Sequence, residues 1–285
     1  MAHPAEGRDR LPSPRSEPGR EGLAALLRSP GRALIGLDYD GTLSPIVSDP
    51  MAARPHPRAV AALRRLAPLT GTLAVITGRP AGEAVALGGL DQVPGLIVLG
   101  QYGRQRWEAG TLTAPPAPPG VDAARRELPA VLAAAGAPDG TWTEDKGDAL
   151  AVHTRRTAQP EGALDQLRAP LAGLAARAGL ELQPGRMVIE LRPPGADKGV
   201  ALRQLRAERG SLAVMYCGDD LGDKPAFEAV AELRADGIPG LAVCSGSAEV
   251  TGLAGLADLV LDGPAGIVSL LEALATAMNV AHGSP

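Results

Sequence analysis

The sequence predicts an α/β core built on a parallel sheet and interrupted by a smaller α+β lobe. Three observations carry this: strands alternate with helices over residues 33–99, the pattern breaks at Arg104, and alternation resumes after Pro193-Pro194-Gly195. In order, the first half reads as a strand at 33–39, a helix at 56–67, a strand at 72–77, a helix from Pro80 and a strand at 96–99. The middle reads as a hairpin RQRWEAGTLT, a Pro-rich joint TAPPAPPG, a helix at 121–135, strands TWTEDK and ALAVHTR, a helix at 161–178, and strands LELQ and RMVIELR. That α-β-β-α-β-β order suits an antiparallel sheet with helices on one face. The last part reads as a helix at 198–208, a strand at 212–217, a helix at 225–234, strands at 241–244 and 258–261, and a helix at 265–278.

The 285 residues exceed one ordinary core and fall short of two full domains, which fits a core with one insertion. Residues 1–22 combine Pro, Gly and charge without apolar periodicity and are expected to form a disordered tail. The core is expected over 23–103 and 196–285, with the inserted lobe over 104–195 for substrate recognition. A formal charge of −4 gives no general attraction to polyanions, which points to a small-molecule partner rather than nucleic acid. No stretch reads as a membrane span. Two cysteines, Cys217 and Cys244, each end an apparent strand without metal-ligand spacing, as expected of reduced thiols in a cytoplasmic protein.

In open α/β sheets ligands sit beyond the carboxyl ends of the strands, and four segments place polar side chains there. The run LIGLDYDGTLSP ends an apolar strand in Asp38 and Asp40, on the same side by strand periodicity, with Gly41 allowing a sharp exit. Next, ITGRP delivers Thr77, Gly78 and Arg79 before a helix opening at Pro80, where a hydroxyl and backbone N–H groups favour an anion. Lys198 opens a helix against the macrodipole, an arrangement that wants an anion nearby. Finally, YCGDDLGDKP ends a strand in Asp219 and Asp220, adjacent oxygens that suit a hard divalent ion. Each has a plainer alternative: a surface acid with a turn, an N-cap threonine, a lysine extended into solvent, and Asp223 as a helix cap.

Together, DxDGT, a strand-end Thr, a helix-start Lys and GDDxxD, in that order, resemble the four motifs of the haloacid dehalogenase superfamily of phosphohydrolases. The resemblance implies a Rossmann-like core with an inserted cap, and a Mg2+-dependent phosphatase working through an aspartyl-phosphate. It implies Asp38 as nucleophile, Asp40 as general acid and then base, and Thr77 with neighbouring N–H groups and Lys198 at the phosphoryl group. Asp38, the main-chain carbonyl of Asp40, Asp219 and Asp220 would form the metal site. The acids are then paired because one attacks and the other moves protons.

The segments EDKGDALAVHTR and PGRMVIELRPPGADKG, with LDYDGTLSPI, VLGQYG and GDDLGDKPAFEAV, are similar to motifs of the trehalose-6-phosphate phosphatases. That likeness implies trehalose 6-phosphate as substrate, functional coupling to a trehalose-phosphate synthase, and sugar contacts from Glu144, Lys146, Arg155, Arg186 and Glu190. Thr77, Gly78 and Arg79 would hold the phosphate. Along the lobe's strands Glu144 and Lys146 share a face, as do His153 and Arg155, and Arg186 and Glu190. Two departures stand out: Arg186 occupies a common Lys position, and Gln101-Tyr102-Gly103 replaces a frequent His-containing loop. The alternatives are a phosphatase for another sugar phosphate and a catalytically silent module that binds sugar phosphate and regulates a synthase.

Overall fold

The computed structural model describes residues 11–47, 49–116, 118–185, 187–246 and 252–282. The chain divides into two compact units, 1–113 with 197–285, and 114–196.

The larger unit holds an eight-stranded sheet. Its strands are β1 (Ala33–Leu37), β2 (Thr72–Ile76), β3 (Ile97–Gly100), β4 (Gln105–Glu108), β5 (Thr111–Thr113), β10 (Ala213–Gly218), β11 (Gly240–Gly246) and β12 (Leu259–Asp262). Their order is β12-β11-β10-β1-β2-β3-β4-β5, parallel from β12 to β3 and antiparallel at the last two. The chain winds outward from β1 to β3 on one side and from β10 to β12 on the other. The direction of winding therefore reverses between β1 and β10, and a ligand crevice is expected at their carboxyl ends.

The helices of this unit are α1 (Glu17–Arg28), α2 (Ala59–Leu66), α3 (Ala81–Gly88), α6 (Lys198–Arg209), α7 (Lys224–Ala235) and α8 (Gly263–His282). Both faces of the sheet are covered, which is why its inner strands read as continuous apolar runs. Ile35, Leu37, Val75, Met215 and Val243 pack on one face with Leu26, Leu63, Leu271 and Leu274. Leu34, Ile76, Val214 and Tyr216 pack on the other with Leu202, Phe227 and Val230. Helix α8 is long and apolar enough to cross a membrane by composition, yet Ile267, Val268, Leu271 and Leu274 are fully buried in the core.

Two boundaries differ from the sequence expectation. The expected tail over 1–22 gives way to α1 at Glu17, capped by Ser16, whose side chain accepts from the Gly19 N–H; residues 1–10 lie outside the described residues. Pro18 and the glycines concealed this helix, but Pro fits a first turn and Gly22 lies against the Gly240 carbonyl, where a Cβ would come within 1.8 Å. The hairpin of β4 and β5, expected in the inserted lobe, instead pairs with β3 and extends the core sheet; its backbone donors complete an existing ladder.

The smaller unit comprises α4 (Pro119–Ala134), β6 (Trp142–Asp145), β7 (Leu150–His153), α5 (Pro160–Ala178), β8 (Glu181–Gly185) and β9 (Val188–Arg192). Its antiparallel sheet runs β6-β7-β9-β8. Leu150, Val152, Ile189 and Leu191 alternate onto the face covered by Val121, Leu128, Leu167 and Leu174 of the helices. The intervening residues, Glu144 and Glu190 among them, therefore face the other way.

Candidate active site

Strand β1 ends at Leu37, opposite Cys217, and β10 at Gly218, so Asp38 and Asp219 leave neighbouring strands one register step apart. Carboxylate oxygens of Asp38, Asp219 and Asp223 lie within 4.8 Å of one another, and all three residues are buried. Gly41 permits this approach. Its φ is +76°, and a Cβ there would come 2.0 Å from Asp219 Oδ2. Its carbonyl in turn accepts from Ser245 Oγ at 2.6 Å.

Lys198, at the first position of α6, is also buried, and its Nζ lies 2.7 Å from Asp38 Oδ1 and 2.7 Å from Asp223 Oδ1. The solvent-extended alternative for this lysine is thereby discarded. Burial alone would lower its pKa, but Asp223 and Asp38 hold it well above the ordinary lysine value. Asp38 is itself pushed well up, first by burial, with Lys198 opposing and Asp223 and Asp40 adding. Asp219 is pushed up to about 10 by burial and then by Asp38, Asp223 and Asp220. One ammonium does not balance this concentration of carboxylates. A donor set made only of carboxylate oxygens fits a hard divalent cation, and such an ion would relieve the repulsion that raises these pKa values.

Asp223 does more than cap a helix. Its Oδ1 accepts from Lys198 Nζ and the Tyr216 hydroxyl at 2.7 Å each, and its Oδ2 accepts from the Asp219 and Asp220 N–H groups at 2.9 and 3.2 Å. Four donors occupy it, so it serves as a strut between Lys198 and the acidic loop. The signal was the third acid of GDDLGD, one helical turn beyond the first. Asp220, by contrast, is outside the buried acidic group: its Oδ1 accepts from the Gly222 N–H at 2.8 Å and caps a short turn.

Thr77 follows β2 and is buried. The expected row of open N–H groups at α3 is partly spent internally, since the Arg79 N–H donates to Thr77 Oγ1 at 3.2 Å and the Ala81 N–H to Gln105 Oε1 at 2.9 Å. Gln101 and Tyr102, at φ +49° and +58°, brace this segment: the Gln101 N–H donates to the Arg79 carbonyl and the Tyr102 N–H to the Thr77 carbonyl. The Arg79 guanidinium, expected on phosphate, is turned instead to Asp40. Its Nε and Nη2 donate to the two carboxylate oxygens at 2.7 and 2.8 Å, and Nη1 donates to Glu83 at 2.6 Å. Asp40 is therefore brought to Arg79 and is not part of the buried carboxylate group.

In the smaller unit, Lys146 is paired with Glu190, and Glu144 Oε2 lies 2.8 Å from His153 Nε2. The His153 ring stacks on Trp142 at 3.9 Å, with the Arg156 guanidinium over the same indole at 5.1 Å. Arg155 does not share the strand face expected for it with His153: β7 ends at His153, and Arg155 is exposed in the following turn. Lys146 likewise lies just past β6 and reaches Glu190 from the turn. Arg186 lies outside the described residues.

The trehalose-phosphatase family profile matches residues 36–258. A trehalose-phosphate phosphatase of Mycobacterium avium is 34% identical over 279 residues, covering 93% of this chain and 66% of its own length. The chain thus spans about two thirds of that relative. Among solved structures, a trehalose-6-phosphate phosphatase related protein is 25% identical with a TM-score of 0.67, covering 85% of this chain and 96% of its own. The C-terminal domain of Candida albicans trehalose-6-phosphate phosphatase, at 22% identity and a TM-score of 0.76, shares the fold over 93% of this chain and 99% of its own. The profile match runs from β1 to the residue before β12, across every segment that supplies the buried acids and Lys198, and the chain belongs to the trehalose-phosphatase family.

Proposed function

We propose that this chain is a Mg2+-dependent phosphohydrolase that converts trehalose 6-phosphate and water to trehalose and phosphate through an aspartyl-phosphate. The observation that carries the reading is the contact of Lys198 with Asp38, 2.7 Å apart and both buried beside Asp219. Asp38 is the nucleophile: an oxygen of its carboxylate attacks phosphorus in line, the bond from phosphorus to the sugar oxygen breaks, and that oxygen takes a proton from Asp40. Water then attacks phosphorus and gives its proton to Asp40. The bond from phosphorus to Asp38 breaks and the electron pair returns to the carboxylate.

Lys198 offsets the repulsion between Asp38 and an anionic ester, while Thr77 and the Gly78 N–H hold phosphoryl oxygens. Asp38, Asp219 and the main-chain carbonyl of Asp40 would hold Mg2+, which supplies charge neutralisation at the transferring group. Asp220 would support the same loop. In the smaller unit Glu144, Lys146, Arg155, Arg186 and Glu190 would exchange hydrogen bonds with sugar hydroxyls, carboxylates accepting and cations donating. The small-molecule partner is the sugar phosphate, its supply would come from a trehalose-phosphate synthase, and the expected compartment is the cytoplasm.

The test is phosphate release from trehalose 6-phosphate by the purified chain. Asp38→Asn and a chelator should each abolish it, and glucose 6-phosphate should be a much poorer substrate. Equal turnover of many unrelated phosphate esters would reject the specificity, and stoichiometric binding with no release in Mg2+ would reject the catalysis.

A further inference from the structure

Arg79 is held more tightly than a surface arginine. Four of its N–H bonds have acceptors: Nε on Asp40 Oδ2, Nη2 on both Asp40 Oδ1 and the Pro50 carbonyl at 2.9 Å, and Nη1 on Glu83 Oε1. The guanidinium carbon stands 5.4 Å over the Tyr39 ring, and the side chain is 8% exposed against 40% for Asp40. The backbone on either side is tied to Thr77 Oγ1 and the Gln101 N–H. The arginine is thus a fixed fork and the carboxylate is the part it positions.

A carboxylate offers about four lone-pair sites, and a two-point fork takes one on each oxygen, so each oxygen keeps a site open to another donor. The fork therefore fixes where Asp40 stands both when it donates a proton and when it accepts one. In the proposed reaction these are separate steps: donation to the sugar oxygen accompanies formation of the aspartyl-phosphate, and acceptance from water accompanies its hydrolysis.

We propose that Arg79 is a positioning residue for Asp40: the fork holds the carboxylate where it gives its proton to the sugar oxygen and where attacking water delivers one. Glu83 is the rear anchor that keeps the fork in place. This rests on the reading of Asp38 as nucleophile and Asp40 as proton carrier. In the hydrolytic step the water oxygen bonds to phosphorus, its proton passes to Asp40, and the bond between phosphorus and Asp38 breaks with its electrons returning to Asp38.

The experiment is rapid-quench kinetics of the full chain in Mg2+ with p-nitrophenyl phosphate, whose leaving group needs no proton, alongside acid trapping of label from a 32P-labelled ester. Arg79→Lys keeps the charge and loses the fork. It should show a burst of nitrophenol approaching one per chain, a steady rate lowered by about tenfold or more, and accumulated acid-stable label. Glu83→Gln, which leaves the fork intact but loosens its anchor, should show the same behaviour to a smaller degree, and it keeps the test open should the lysine variant fail to fold. A fall in steady rate with no burst and no more label than in the unsubstituted chain would reduce Arg79 to a purely structural residue and overturn the proposal. Label absent from every variant, the unsubstituted chain included, would remove the aspartyl-phosphate reading and this proposal with it.

Discussion

The ammonium of Lys198 stands 2.7 Å from a carboxylate oxygen of Asp38, with 5% and 6% of the two side chains exposed. A buried ion pair adds little when compared with an apolar pair of the same shape, but removing one partner leaves the other charged and unsolvated. Here the lysine also pairs with Asp223, so its loss would take the cation from two buried carboxylates.

Lys198→Met should therefore cost about 3–5 kcal/mol of stability at neutral pH, as read by urea unfolding. The same variant should lose phosphate release even under conditions where it remains folded. A variant as stable as the parent would show that Asp38 and Asp223 do not depend on this cation.

The buried acids also set a pH dependence. Asp219 is pushed up to about 10 from an ordinary 3.8, so between those values the metal-free folded chain holds a proton that the unfolded chain has released. Stability contributed by that proton is complete below the ordinary value and declines as pH rises, by up to about 1.4 kcal/mol per unit. Asp38, raised for the same reason of burial, acts in the same direction. Lys198, raised above 10.5, keeps its proton throughout this window.

A bound divalent ion would hold Asp219 ionised and remove the slope. The rise in melting temperature on adding Mg2+ should then grow from pH 6 to pH 8, and binding should release protons, as checked by melts at several pH values and by calorimetry in buffers of different ionisation enthalpy. A gain independent of pH would place the ion away from these acids.

Much of this arrangement was legible in the chain because strand ends announce themselves. An apolar run with both faces buried, such as Ala33–Leu37, cannot continue into Asp38 and Asp40 without leaving the apolar layers that cover the sheet, so acids after such runs mark the carboxyl edge of the sheet. What spacing could not reveal was which distant partner a polar side chain would find. Arg79 sits in sequence among residues expected at a phosphate, yet its two-point partner lies 39 positions earlier. Asp223 looked like a cap because a cap and a buried strut place the same residue before a helix. Its four donors come from α6, β10 and its own loop and converge only in the fold. The hairpin at 105–113 was recognisable as a hairpin, but a hairpin's sequence does not say which sheet edge it will join.

On the smaller unit, Lys146 pairs with Glu190 and Glu144 meets His153, all on the sheet face opposite the helices. Glu190 is 6% exposed and Lys146 is paired with it, so each orients the other's polar atoms. If these groups recognise sugar hydroxyls, Glu190→Gln and Lys146→Met should each raise KM for trehalose 6-phosphate by about tenfold to a hundredfold, the loss of about 1.5–3 kcal/mol expected for a hydrogen bond to a charged group. Turnover of p-nitrophenyl phosphate, which has no hydroxyls to offer, should change little. Steady-state kinetics on both esters separates this from a folding defect, because a misfolded lobe would depress the two together. Parallel losses would assign the pair to holding the lobe's sheet, and sugar recognition would then fall to other residues of that face.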